Sequence, residues 1–225
     1  MAYANYFNEF DWFVKGDDDS YFIIENLRYM LHQYNPQTAM IIGHKIVDSS
    51  TKDGYMSGCG YILSKKALEK FVHQVLDGKC EPGIKGAEDL LVGKCLQEEV
   101  LFIDAHDDKY EKQIFPVNIE QNFIENLKDI DKWYVESQWA KFYHGNFSCC
   151  SEELVSLHYK KPPEMYLIDY LVYHVHAFGH VGNYNTGLPK KLTFEETLKA
   201  ANEKSLSIKF VDHHIEHNFD ENEIF

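Results

Sequence analysis

The sequence predicts an α/β fold, and three observations predict it. Trp12-Phe13-Val14 is an apolar run that stops at Asp17-Asp18-Asp19 and is followed by Tyr21-Phe22-Ile23-Ile24, so a buried strand ends at an acidic cluster. Ala39 to Ile42 is a second apolar run of strand length. Elsewhere the apolar spacing becomes helical, most clearly where Leu68, Phe71, Val72, Val75 and Leu76 form one stripe.

Taken in order, Leu27, Met30 and Leu31 continue from Ile23 and Ile24 at helical spacing, predicting a helix over 25–34 that Asn35-Pro36 stops. The strand from Ala39 follows, and then a turn-rich loop from Asp48 to Gly54. Gly54-Tyr55-Met56-Ser57-Gly58-Cys59-Gly60-Tyr61-Ile62-Leu63 is strand-like; its glycines either let the backbone approach a sugar or phosphate, or mark a bulge. Ser64 caps the striped helix and Gly78 ends it. Glu88 and Asp89 open the next helix, either as carboxylates that suit its dipole or as a general base facing a cleft. Residues 104–132 read as surface loop with short helical pieces. The five aromatic residues from Trp133 to Tyr143 suit a sugar face, or core or lid packing. Leu154 to Tyr159 is a last strand with His158 near its end. Pro162-Pro163 opens a helix expected to bury Met165, Ile168, Leu171, Val172 and Val175. Beyond Gly179 the chain is polar, with a capping box at Thr193 and Glu196 and a short helix to about Glu203.

Composition narrows the partners. With 225 residues and 44% hydrophobic content the chain can bury a core, and its formal charge of −14 repels a phosphate backbone, so nucleic acid is not an expected partner. No apolar stretch reaches membrane-spanning length. The five cysteines form no CxxC pair. Cys80 and Cys95 flank the Glu88-Asp89 turn and would pin it in an oxidising compartment, or remain buried thiols in a reducing one. Asn146-Phe147-Ser148 is a glycosylation sequon.

Three carboxylates at the end of a strand repel one another unless a hard divalent cation neutralises them. In an acidic chain such a cation is also the means of holding an anionic nucleotide. A solvated acidic turn is the alternative. His158 is either a structural histidine or a third ligand that would suit Mn²⁺. His174, His176, His180, His213, His214 and His217 are read as solvated rather than as ligands.

Four stretches in one order resemble the core 1 β1,3-galactosyltransferases: Asp11-Trp12-Phe13-Val14-Lys15 with Asp17-Asp18-Asp19; Gly54-Tyr55-Met56-Ser57-Gly58; Glu88-Asp89-Leu90; and Cys149-Cys150 with Ser156-Leu157-His158-Tyr159. Tyr170-Leu171-Val172-Tyr173-His174 adds to the likeness, which covers roughly residues 10–176. The resemblance implies a GT-A type nucleotide-sugar fold with a mixed central sheet flanked by helices. It implies a UDP-galactose donor, an O-GalNAc glycoprotein acceptor, Mn²⁺, a lumenal Golgi location and a homodimer as a candidate assembly. Asp17 and Asp19 fall on the metal-binding DxD positions, with Asp19 favoured as direct ligand, and His158 on the metal-binding histidine. Asp89 falls on the proposed base, while Asp17, Asp18, Gly58 and Gly60 border the donor. Family members carry an anchor, a stem and a uridine-binding half before the Asp triplet; the expectation here is a partial GT-A domain at 1–178 and a polar extension at 179–225. The family's Gly-Gly-Ala-Gly after Tyr-Met-Ser is one residue shorter here, Gly58-Cys59-Gly60. Its Trp-Tyr-Trp reads Trp133-Tyr134-Val135, and its Val-Glu-Gly-Pro-Gly reads His144-Gly145-Asn146-Phe147-Ser148, so its acceptor-contacting tryptophan and glutamate have no counterparts. Two other functions remain in view: a β1,3-glycosyltransferase of different sugar specificity, and a non-catalytic paralogue that binds glycoproteins or assists a sister enzyme.

Overall fold

The computed structural model describes residues 2–47, 50–51, 54–80, 87–106, 113–115, 150–175 and 190–202. A mixed sheet takes the order β1-β4-β3-β5, with β1 Trp12–Lys15, β3 Met40–Ile46, β4 Tyr55–Ser64 and β5 Leu101–Asp104. β4 runs antiparallel to both β1 and β3, and β3 runs parallel to β5. A smaller sheet orders β2-β7-β6, with two residues in each strand: Tyr21–Phe22, Ser156–Leu157 and Ile114–Phe115.

Strand alternation divides the apolar residues between the two faces of the large sheet. Met40, Ile42, Ile62 and Ile103 face one core, with Leu27, Met30 and Leu31 of α2 (Ile24–His32), Ile114 of the small sheet and Val155 just before β7. Ile41, Tyr61, Leu63 and Phe102 face the other, against Ala67 and Leu68 of α3 (Lys65–Leu76) and Val92 and Leu96 of α4 (Glu88–Leu96). β3 is buried along its whole length, apolar at Met40-Ile41-Ile42 and Ile46 but carrying His44 and Lys45 between them, and burying each of its isoleucines is worth roughly 1.5–3 kcal/mol. A short helix, α1 (Ala2–Tyr6), begins the described chain.

Local signals place the helices well. Ser64 Oγ accepts the Ala67 N–H at 3.1 Å to cap α3, and Gly78, with φ +68°, follows its end. Thr193 and Glu196 form the reciprocal hydrogen bonds of a capping box at the start of α6 (Phe194–Asn202). α6 inserts Ala201 into the first core, so residues 190–202 share the packing of the large sheet.

Five expectations need correction. The strand before the Asp triplet is an edge strand, not a buried one: no residue of β1 is fully buried and Val14 is exposed. Within 104–132, read as surface loop, Ala105, Gln113 and Ile114 are buried and Ile114–Phe115 form β6. The α3 stripe fades toward its end, where Val75 and Leu76 are exposed. The last strand is confined to Ser156–Leu157, and His158 lies just beyond it. α5 (Pro162–Tyr173) begins at the two prolines but buries no residue fully: Met165 and Ile168 are half-buried, while Leu171, Val172 and Val175 are exposed together with Tyr166, Leu167 and Tyr170. Apolar residues surround this helix, so periodicity could not select a face. The residues 116–149, with their aromatic run and sequon, lie outside the described residues, as do His176, His180, His213, His214 and His217.

Candidate metal and base site

The site forms where the two sheets meet. β1 ends at Lys15, and Asp17 to Ser20 make a turn closed by the Ser20 N–H on the Asp17 carbonyl at 3.1 Å, before the chain enters β2. β2 pairs with β7 in the register Tyr21 to Leu157, which carries His158 alongside that turn. Lys160 N–H then donates to the Asp19 carbonyl at 2.9 Å. Residues about 140 positions apart are thereby brought together by the ladder rather than by sequence proximity.

Asp17, Asp19 and His158 converge, with one potential ligand atom from each lying within 4.8 Å of the others. His158 Nε2 is 3.1 Å from Asp19 Oδ1 and 3.6 Å from Asp17 Oδ2. The carboxylates keep 40% and 39% of their side-chain surface exposed, whereas the histidine keeps 8%. Two carboxylates and one imidazole are the donor set of an oxygen-preferring divalent cation that tolerates nitrogen, and Mn²⁺ fits it. Asp18 is exposed and lies outside the trio.

Asp89 reaches the same place from the other side of the sheet margin. As the second residue of α4 it accepts the Gly58 N–H on Oδ2 at 2.9 Å and the Leu90 N–H on Oδ1 at 2.8 Å. The Gly58 carbonyl, in turn, accepts the Asp17 N–H at 3.2 Å. One residue of β4 therefore connects the Asp17 turn to α4. A Cβ on Gly58 would stand 2.5 Å from Asp17 Oδ2, so only glycine leaves room for that carboxylate. Gly60 serves packing: its φ is +142°, and a Cβ there would stand 2.6 Å from the Phe22 ring. Atoms of this chain fill the space that both glycines leave.

Sequence reasoning missed the cation of the site. Lys15 Nζ binds Asp17 Oδ1 at 2.6 Å and Glu88 Oε2 at 2.9 Å, and Tyr61 OH donates to Glu88 Oε1. Partial burial opposes the Lys15 charge, but hydrogen bonds to Asp17 and Glu88 outweigh it and hold the ammonium above its ordinary range. Burial, the Glu88 hydrogen bond and the charges of Glu88, Asp89 and Asp17 raise Tyr61. Burial also pushes the Cys59 thiol up to about 12 against a lowering hydrogen bond to Ser57, and the charges of Asp17 and Asp89 add to it. Tyr159 is raised by burial and by Asp19, Cys59, Asp17 and Asp89, so a single negative field covers the site. A lysine two residues before an acidic cluster was the available signal for Lys15; nothing local marked Tyr61.

Cys80 and Cys95 form a disulfide with their Cα atoms 4.9 Å apart, tying the end of α3 to α4. Among the described residues no helix is long and apolar enough to cross a membrane.

Comparison with known proteins addresses the family rather than the site. The Fringe-like family model matches residues 1–110. Glycoprotein-N-acetylgalactosamine 3-beta-galactosyltransferase 1 of Xenopus laevis is 33% identical over 189 residues, which cover 83% of this chain and 52% of the relative. The chain thus spans about half the length of the curated relative it matches. With the four ordered motifs, the mixed α/β fold and this identity in agreement, the chain is a core 1 β1,3-galactosyltransferase-like member of the Fringe-like family.

Proposed function

We propose that the chain carries the metal and base centre of a GT-A type, inverting glycosyltransferase that moves galactose from UDP-galactose to the 3-hydroxyl of N-acetylgalactosamine on serine or threonine of a glycoprotein. The observation that carries the reading is the placement of Asp89 and the Asp17–Asp19–His158 trio on opposite sides of one residue, Gly58. Each Asp89 oxygen accepts one backbone N–H and retains a lone pair for the acceptor proton. The acceptor oxygen bonds to the anomeric carbon while the bond to UDP breaks on the opposite face. The electron pair leaves with the diphosphate, and the configuration inverts. Mn²⁺ held by Asp17, Asp19 and His158 would stabilise the charge on that leaving group. Asp18 borders the donor side in this reading, while Gly58 and Gly60 act indirectly, by leaving room for the Asp17 carboxylate and the Phe22 ring. The Cys80–Cys95 disulfide supports a lumenal Golgi location, since such bonds persist in oxidising compartments.

Calorimetric titration of UDP into the purified chain, with Mn²⁺ and then with EDTA, tests the proposal. Metal-dependent binding that disappears in Asp19→Ala is the expected result, followed by transfer of galactose to N-acetylgalactosamine peptides. Transfer from another UDP-sugar instead would move the specificity and keep the mechanism. A folded chain that binds no UDP under any condition would overturn the catalytic reading in favour of a non-catalytic, glycoprotein-binding paralogue.

A further inference from the structure

Successive side chains of an extended chain point to opposite faces, so neighbours along a strand do not stack. His158 and Tyr159 do stack, with ring centroids 4.0 Å apart and planes at 21°. The bend that permits it lies at Tyr159, whose φ of +56° is in the left-handed region where the Cβ crowds the backbone. Glu98 is the only other non-glycine among the described residues with a positive φ.

The same bend precedes the Lys160 N–H bond to the Asp19 carbonyl. Residues 158–160 therefore connect two members of the trio twice: through the side chain at His158 Nε2, 3.1 Å from Asp19 Oδ1, and through the backbone at Lys160. Core packing does not account for the conformation, because Tyr159 is 52% exposed while His158 beneath it is 6% exposed. A costly backbone angle that brings a half-solvated ring onto one imidazole acts on that imidazole.

We propose that Tyr159 is a positioning residue for His158. This rests on the reading of Asp17, Asp19 and His158 as a divalent-metal centre. The stacked ring restricts rotation of the imidazole and keeps Nε2 directed at the two carboxylates, so less rotamer freedom is lost when the ion is taken up. Tyr159 itself contacts no ion.

Glycine adopts a φ of +56° freely, so Tyr159→Gly keeps the bend and removes only the ring. Tyr159→Phe keeps both. Calorimetric titration with Mn²⁺ is expected to show Tyr159→Phe within about twofold of the wild type and Tyr159→Gly weakened roughly tenfold or more, the usual effect of losing a residue that orients a metal ligand. Thermal midpoints of the two variants should stay within a few degrees of the wild type, a result that a merely structural role would not give. In metal-free protein, the ring-current shift of the His158 proton resonances should persist in Tyr159→Phe and vanish in Tyr159→Gly. Wild-type affinity in Tyr159→Gly overturns the positioning role and leaves the metal centre standing. Absence of Mn²⁺ binding by the wild type overturns the metal centre, and the metal-free His158 spectrum then decides the positioning role alone, an unchanged shift in Tyr159→Gly overturning it.

Discussion

The large sheet and the small sheet contribute to the site on unequal terms. The large sheet has strands of four to ten residues, apolar layers on both faces and a disulfide beside it, and it holds Asp89, Gly58 and the start of the Asp17 turn. The small sheet has two residues in each strand and supplies His158. It is fastened to its neighbour by the Phe22 ring over Gly60 and by the Ser156 hydroxyl, which donates to the Cys59 carbonyl at 3.5 Å. Stability is not uniform in such a structure, and short ladders open first. The lesson is that Asp89 and His158, the proposed base and third metal ligand, are held with different firmness, so they can be disturbed separately.

Gly60→Ala is expected to have the largest effect on the fold. The new methyl meets the Phe22 ring and takes a backbone angle unsuited to a side chain, costing about 3 kcal/mol in urea unfolding and loosening the small sheet with it. Loss of less than about 1 kcal/mol would show that the two sheets are not joined there. Ser64→Ala perturbs the large sheet instead. It removes the α3 cap and the hydroxyl bonds to Met40 N–H and the Thr38 carbonyl, for about 1–2 kcal/mol, yet Mn²⁺ affinity should stay unchanged. A fall in affinity at Ser64→Ala would mean that the metal trio answers to the large sheet after all. Gly58→Ala sharpens the contrast, because its methyl displaces the Asp17 carboxylate: stability should change by about 1 kcal/mol, and Mn²⁺ affinity should fall roughly tenfold.

The smallest expected effect is on pH dependence. The Cys59 thiol stands at about 12 in the folded chain against 9.0 for the free group, so its stabilising contribution is complete below pH 9 and is lost as pH rises toward 12. The slope approaches about 1.4 kcal/mol per pH unit once the unfolded thiol has ionised. Tyr21, raised to about 12 by burial and by Asp169, and the raised Tyr61 add the same sign from about pH 10 upward. Cys59→Ala should therefore flatten urea-unfolding stability between pH 9 and 10 alone; an unchanged slope would place its cause elsewhere.

What could be read from the sequence was local or ordered along the chain. The run into Asp17, the glycine-bearing β4, the Ser64 cap and the Thr193–Glu196 box each depend on residues within a few positions, and the structure contains all of them. The convergence of Asp17, Asp19 and His158 was reached through the resemblance, because strand pairing over such a separation leaves no periodic trace. Lys15 stands two residues before Asp17, so that pair was locally legible, but its second contact, with Glu88, depends on where α4 docks against β4, which no local pattern encodes. The left-handed bend at Tyr159 was unreadable for the opposite reason: tyrosine signals core or strand, and the backbone there departs from its preference. α5 failed through excess, its apolar residues being too many to define a side.

The Cys80–Cys95 bond bears on how the protein is made. Its cysteines are separated by 15 positions, so both leave the ribosome within about three seconds of one another at ordinary elongation rates. Cys59 has emerged by then and is the earlier thiol, able to compete for the bond until β4 is buried. The order of synthesis thus favours neither partner of Cys95 by itself; burial of Cys59 in a core that includes Ile114, Val155 and Ala201, all later in the chain than Cys95, is what withdraws the competing thiol.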